Sequence, residues 1–280
     1  MWRLAIPSTR TGDTLHSDGS FDVHTNLGPP PTKANVTSAA GVDADSWHYL
    51  LSFGGQNAAG PAVPDEDGYV SGFLAAYARV RERFGFDGID IDIETGMRTP
   101  LLRALRRIFV KLHAQGQVIS MAPQPLNIDT SEVSGFSEGS YNAYVPLVDS
   151  TVIECVSYVA PQLYNNPMPL HNLTQYLRSM QAGALVKWDG HGLKLAIPSS
   201  KLTFGFPAAR GAAPAGPSQP WEATPASITA HYSASPELMA TGGLMTWSIG
   251  WDASNGWEWV EAVKTIWPRN ATRAAVGLAL

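Results

Sequence analysis

The chain has 280 residues and a mass of 30.0 kDa, enough for one large α/β domain, and a single domain is expected. Charged residues make up only 15%, with a formal net charge of −5 and a pI near 5.8, so there is no basic footprint for nucleic acid or for an anionic membrane. No apolar run reaches membrane-spanning length, and Cys155 is the only cysteine, which excludes an intramolecular disulfide.

The first strand candidate is Trp2–Ile6, followed by residues 7–46, rich in Gly, Pro, Thr, Ser and Asp and without clear periodicity. From about residue 47 short apolar runs alternate with helical patterns, the mark of repeated β-α units and a parallel sheet. Strands are expected at His48–Phe53, Gly88–Glu94, Gln117–Ala122, Val152–Leu163, Lys201–Phe206 and Gly243–Ser248. Between them, Tyr69–Phe84 carries Val70, Phe73, Leu74, Tyr77 and Val80 on one side, and Leu101–Ala114 repeats the pattern after Pro100 at a first helical position. Gly256–Trp267 closes the series, so residues 1–268 read as one barrel and 269–280 as a tail beyond it.

Within Phe86-Asp87-Gly88-Ile89-Asp90-Ile91-Asp92-Ile93-Glu94-Thr95, side chains of a strand alternate between faces. Asp90, Asp92 and Glu94 therefore share one face and Ile89, Ile91 and Ile93 the other. A solvated charged face is the plain alternative, but three isoleucines opposite the acids call for an apolar layer such as packed helices. Two carboxylates about 4 Å apart repel by roughly 4 kcal/mol at an effective dielectric of about 20, so buried acids must be paired, protonated or bound to a cation. A strand of a parallel barrel meets both demands, with Glu94 nearest the mouth and Asp90 deepest. Asp87 is out of phase and reads as a turn or strand-entry residue. A divalent cation held by Asp90, Asp92 and Glu94 is disfavoured, because alternation spreads the carboxylates about 7 Å apart along the face and no His accompanies them. No metal and no cofactor are expected.

The acidic strand resembles the D-G-x-D-x-D-x-E pattern of glycoside hydrolase family 18, the chitinases and their relatives, and matches it at every fixed position. Ser52-Phe53-Gly54-Gly55 resembles the family's S-x-G-G at the end of the preceding strand. Met121-Ala122-Pro123-Gln124-Pro125, Gln162-Leu163-Tyr164-Asn165-Asn166 and Gly242-Gly243-Leu244-Met245-Thr246-Trp247-Ser248 resemble later strand ends of the small bacterial and class III plant-type members. The resemblance implies a TIM (β/α)8 barrel. Six clear strands and the candidate at Trp2–Ile6 fall short of eight. Either a strand hides in the irregular N-terminal stretch or the barrel lacks its first strand, and the abrupt start at a strand-like run favours the second.

The resemblance also implies roles. Glu94 would be general acid and then base, Asp92 the group that orients the substrate's acetamido nitrogen, and Asp90 a support tuning Asp92. The nucleophile would be the substrate's own acetamido oxygen, an exception to the usual pair of enzyme carboxylates. Tyr164 would hydrogen-bond the acetamido carbonyl, although a core tyrosine is the alternative. Trp247 would floor the sugar at the scissile bond, against the alternative of simple packing. Gln124, Asn165, Gln162 and Met121 complete the expected substrate contacts. Ser52, Gly54 and Gly55 would shape the floor beneath the acids, the glycines allowing close backbone approach.

The implied activity is retaining hydrolysis of β-1,4-linked N-acetylglucosamine polymers, with chitin or its oligomers as partner and the protein acting as a monomer. An endo-β-N-acetylglucosaminidase acting on N-glycans, or a non-hydrolytic chitin-binding relative, are the alternatives; the second typically lacks the acid that Glu94 supplies. Export is expected from the substrate class, although Met1-Trp2-Arg3-Leu4-Ala5-Ile6-Pro7 lacks the long apolar core of a signal peptide.

Overall fold

The computed structural model of the chain describes residues 2–7, 15–21, 23, 31–40, 47–55, 58–128, 136–138, 142–165, 172–209, 211–213, 224–266 and 275–279. In chain order these form β1 (Trp2–Pro7), α1 (Lys33–Ala40), β2 (Trp47–Gly54), α2 (Glu66–Phe84), β3 (Gly88–Asp92), α3 (Thr99–His113), β4 (Val118–Met121), α4 (Val145–Val148) and β5 (Tyr158–Val159). There follow α5 (Leu173–Gln181), β6 (Leu185–Trp188), β7 (His191–Lys194), β8 (Thr203–Pro207), α6 (Pro225–Ala234), α7 (Pro236–Met239), β9 (Gly243–Trp247), α8 (Ile249–Ser254), α9 (Glu258–Ile266) and β10 (Ala275–Ala279).

The bounds of the two long helices follow from local sequence. In α2, Asp65 accepts from the N–H of Asp67, Glu66 and Asp67 lie in the first turn, and Gly85 caps the last turn at φ +78°. In α3, Pro100 occupies the first turn, and Leu101, Leu102, Leu105, Ile108, Phe109 and Leu112 bury one face.

Eight strands form one sheet in the order β5-β4-β3-β2-β1-β10-β9-β8, with every neighbouring pair parallel. The two outer strands meet through isolated parallel bridges, Val159 with Leu202 and Gln162 with Gly205, so the sheet returns on itself by bridges and not by a continuous ladder. The α/β architecture expected for a TIM barrel is present. The position expected to be empty at the start of the barrel is occupied, because β10 pairs with β1 on one side and β9 on the other. The segment expected as a tail thus contributes a strand, and this corrects that expectation: unpaired backbone edges on β1 and β9 would otherwise leave donors and acceptors unsatisfied. Residues 269–274 and Leu280 of that segment lie outside the described residues.

Two further expectations change in detail. The long strand expected over Val152–Leu163 is a short turn at Ile153–Cys155, the two-residue β5 and a bridge at Gln162. The antiparallel hairpin of β6 and β7, absent from the expected elements, lies apart from the main sheet.

The packing separates into two apolar sets. The large one lies between sheet and helices and includes Leu51, Phe53, Phe73, Ile89, Ile91, Ile93, Leu105 and Ile119. The small one comprises Leu50, Tyr158, Ala160, Tyr164, Ala213 and Met245, with Val118 and Trp247 packed against it. Along β2, β4, β5 and β9 the two sets alternate, as the pleat requires, so the small set marks the inner face.

Candidate active site

The register places the inner-face residues of adjacent strands side by side, and Ser52 on β2, Asp90 on β3 and Ser120 on β4 form one row. Ser52 Oγ donates to Asp90 Oδ2 at 2.8 Å, and Ser120 Oγ donates to Asp90 Oδ1 at 2.5 Å. Asp90 is only 6% exposed. Burial pushes its carboxyl above the ordinary range, and the two serine hydroxyls pull it back down.

Two residues on, Asp92 is held well above the usual carboxylate range, first by burial and then by the neighbouring charges of Asp90 and Glu94. The Gln162 amide opposes that shift, with Nε2 donating to Asp92 Oδ1 at 2.5 Å and to the Ala122 carbonyl at 2.8 Å. Gln162 therefore touches an acid directly, through the bridge that joins β5's end to β8. Glu94 is half-buried, beyond the last rung of β3, and its N–H donates to the Ala58 carbonyl at 3.1 Å. The three acids thus run from closed to accessible along one strand.

Tyr164 lies in the inner set with 9% exposure, and burial, then Asp92, Glu94 and Asp90, raise its phenol well above the ordinary value. It therefore stays protonated and able to donate beside the acids. Trp247, half-buried at the end of β9, packs against the same inner set, and its peptide bond to Ser248 is cis.

The glycines of β2's end are required by contact. Gly54 has φ +127°, and a Cβ there would lie 2.0 Å from the Asp92 carbonyl oxygen. The N–H of Gly55 donates to that same oxygen at 2.8 Å, fixing the backbone that carries the acids. Asp87 sits at the opposite end of β3, where it accepts from the Tyr49 N–H at 2.8 Å and pairs with Lys33 at 2.8 Å.

Of the remaining expected contacts, Gln124 is half-buried in the loop after β4, and Asn165 is exposed with φ +57°, a conformation that suits Asn. Met121 is a correction. It is fully buried in the outer packing set, because it follows Ser120 and alternation turns it toward the helices. Ser120 is the residue the motif reading missed, and only the register of β4 against β3 brings it to Asp90. Among the described residues no group of three His, Cys, Asp or Glu is arranged to hold a metal ion, and no helix is long and apolar enough to cross a membrane.

A parallel α/β barrel whose inner face carries three stepped carboxylates, a protonated tyrosine and a tryptophan defines a glycoside hydrolase. No protein-family model matches the chain. It is 26% identical over 285 residues to Endochitinase 4 of Metarhizium robertsii, covering 90% of this chain and 73% of the relative. It is 30% identical over 226 residues to a chitinase of Enterococcus faecalis, covering 72% of this chain and 59% of the relative. Its fold is similar to the crystal structure of a family GH18 chitinase from Chromobacterium violaceum, with a TM-score of 0.70 and 20% identity over 94% of this chain and 75% of that one. The chain is thus similar in sequence to chitinases and in fold to a family GH18 chitinase.

Proposed function

We propose that the protein hydrolyses β-1,4-linked N-acetylglucosamine polymers, chitin and its oligomers, with retention of configuration. The observation that carries this reading is the pairing of a half-buried Glu94 with an Asp92 whose carboxyl is raised well above its ordinary value. Sugar hydrolysis needs one group that gives a proton to the leaving oxygen and takes one from water, and it needs another that steadies developing charge.

Glu94 gives its proton to the glycosidic oxygen as the C1–O bond breaks, and the substrate's acetamido oxygen bonds to C1 from the opposite side. The positive charge then spreads over an oxazolinium ring. Asp92 accepts from the ring N–H, and the Tyr164 hydroxyl donates to the acetamido oxygen before attack. Water enters on the side the leaving group vacated, loses its proton to the Glu94 carboxylate and bonds to C1, reopening the ring. Two inversions give retention. Asp90, clasped by Ser52 and Ser120, steadies Asp92 from below, while Trp247 offers a flat apolar face to the sugar. Gln124 and Asn165 are the candidates for hydroxyl contacts at the rim. The protein is exported, and it works without metal or cofactor.

The test is Glu94→Gln assayed on N-acetylglucosamine oligomers, with a high-mannose glycopeptide in parallel. Loss of a positioned acid and base costs about 10²–10⁴-fold, so turnover of the oligomers should fall by that range while oligomer binding persists. Undiminished turnover by the variant overturns the mechanism. Cleavage of the glycopeptide alone by the wild type would move the substrate to N-glycans, and cleavage of neither would leave a sugar-binding protein.

A further inference from the structure

The strand that carries the acids loses its partner on one side before it reaches Glu94. On the β4 side, the N–H of Val118 donates to the Asp87 carbonyl at 3.0 Å and that of Ala122 to the Ile91 carbonyl at 2.9 Å. The next carbonyl facing that side is Ile93, the residue immediately before Glu94. There β4 has ended at Met121, and the chain turns away through Pro123 and the turn at Pro125–Asn127. The Tyr144 hydroxyl takes the missing place, donating to the Ile93 carbonyl at 2.9 Å, with the Ile91 carbonyl 3.5 Å away. Tyr144 is 1% exposed and directly precedes α4, itself wholly buried, so the ring has a fixed seat. On the other side of the same peptide, the N–H of Glu94 is held by the Ala58 carbonyl.

We propose that Tyr144 is a positioning residue for Glu94: its hydroxyl replaces the absent ladder rung and fixes the peptide from which the acid projects. The phenol touches neither the reacting atoms nor the substrate and acts through the backbone. The proposal rests on Glu94 being the acid and base. A small displacement of a catalytic group is costly to chemistry and cheap to binding, since reacting atoms must align within a fraction of an ångström.

The experiment compares Tyr144→Phe with Tyr77→Phe. The latter removes another buried hydroxyl, one that donates to Gln117 Oε1 at 2.9 Å between α2 and the start of β4 and away from the acids. Both variants are measured for kcat and KM on N-acetylglucosamine oligomers across pH 4–9, and for Tm. The expected result for Tyr144→Phe is a kcat about 10-fold lower, a KM within about twofold and a displaced pH profile, at a Tm loss similar to that of Tyr77→Phe. Tyr77→Phe should keep kcat and the profile. The inference is overturned if Tyr144→Phe keeps kcat within about twofold, if Tyr77→Phe loses as much, or if KM rises in step with the loss of kcat. It is equally overturned if Tyr144→Phe fails to fold while Tyr77→Phe folds, because the hydroxyl then supports the fold as a whole. A Glu94→Gln enzyme that still turned over would instead defeat the assignment of Glu94, an outcome these measurements do not mimic.

Discussion

Removing the two serine hydroxyls from Asp90 should make stability depend on pH in a direction the site dictates. Ser52→Ala and Ser120→Ala each delete one donor to a different oxygen of a carboxylate that is 6% exposed. A hydrogen bond to a charged group contributes about 1.5–3 kcal/mol, against about 0.5–1.5 kcal/mol between neutral partners. Burial already holds the Asp90 carboxyl above its ordinary value, and the serines are what restrain it. An acid raised on folding contributes stability that is full below its unfolded value near 4 and is lost as pH rises through the folded value. Without the hydroxyls the folded value climbs further, so the deficit of each variant relative to wild type should be small near pH 4 and grow toward pH 8. At about 2–4 °C per kcal/mol for a domain of this order, the expected Tm loss is about 3–12 °C at pH 8 and about half that or less near pH 4. The double variant should lose less than the sum, since an Asp90 with no donor left escapes most of the penalty by keeping its proton. Thermal melts of the four proteins across that pH range decide the matter. A deficit of equal size at both ends would refute the claim that the serines serve an ionising carboxyl.

Gly54→Ala should destabilise by more than about 3 kcal/mol or prevent folding, because the new methyl would sit 2.0 Å from the Asp92 carbonyl at φ +127°; urea melts of the soluble fraction measure it. Met121→Leu should leave kcat and KM unchanged and cost under about 1.5 kcal/mol, as expected of a packed residue that touches no sugar, and a raised KM would restore it to the substrate site. Deleting residues 269–280 removes β10 from between β1 and β9 and should lower Tm markedly, whereas a true tail could be cut without effect.

The acid strand was legible because alternation and burial are local rules, and the isoleucines and acids fall on the faces that period two assigns. Its contact with Gly54 and Gly55 was legible for the same reason, since paired glycines at a strand end signal close backbone approach. Ser120 was not, because its role depends on how β4 is set against β3, which no single stretch of sequence encodes. Reading Met121 from a motif while neglecting its phase put the wrong neighbour into the site. Tyr144 carries no pattern at all: a lone tyrosine before a four-residue helix becomes meaningful only once the Ile93 carbonyl is seen without a strand beside it. The helix α1 lay in a segment whose Gly, Pro and Ser content hid it. The ends of α2 and α3, by contrast, follow from a capping aspartate, a left-handed glycine and a proline in the first turn.

The row of Ser52, Asp90 and Ser120 bears on more than catalysis. Slide β3 by a single residue and an isoleucine meets the two hydroxyls while the acids enter the apolar layer under the helices. Such a slipped barrel could retain every helix, but it would lose this clasp together with the Gln162 contact to Asp92 and the Tyr144 contact to the Ile93 carbonyl. The same residues that hold the acid therefore also hold the register of its strand, and a variant that loses the clasp is exposed to mispairing as well as to slow chemistry.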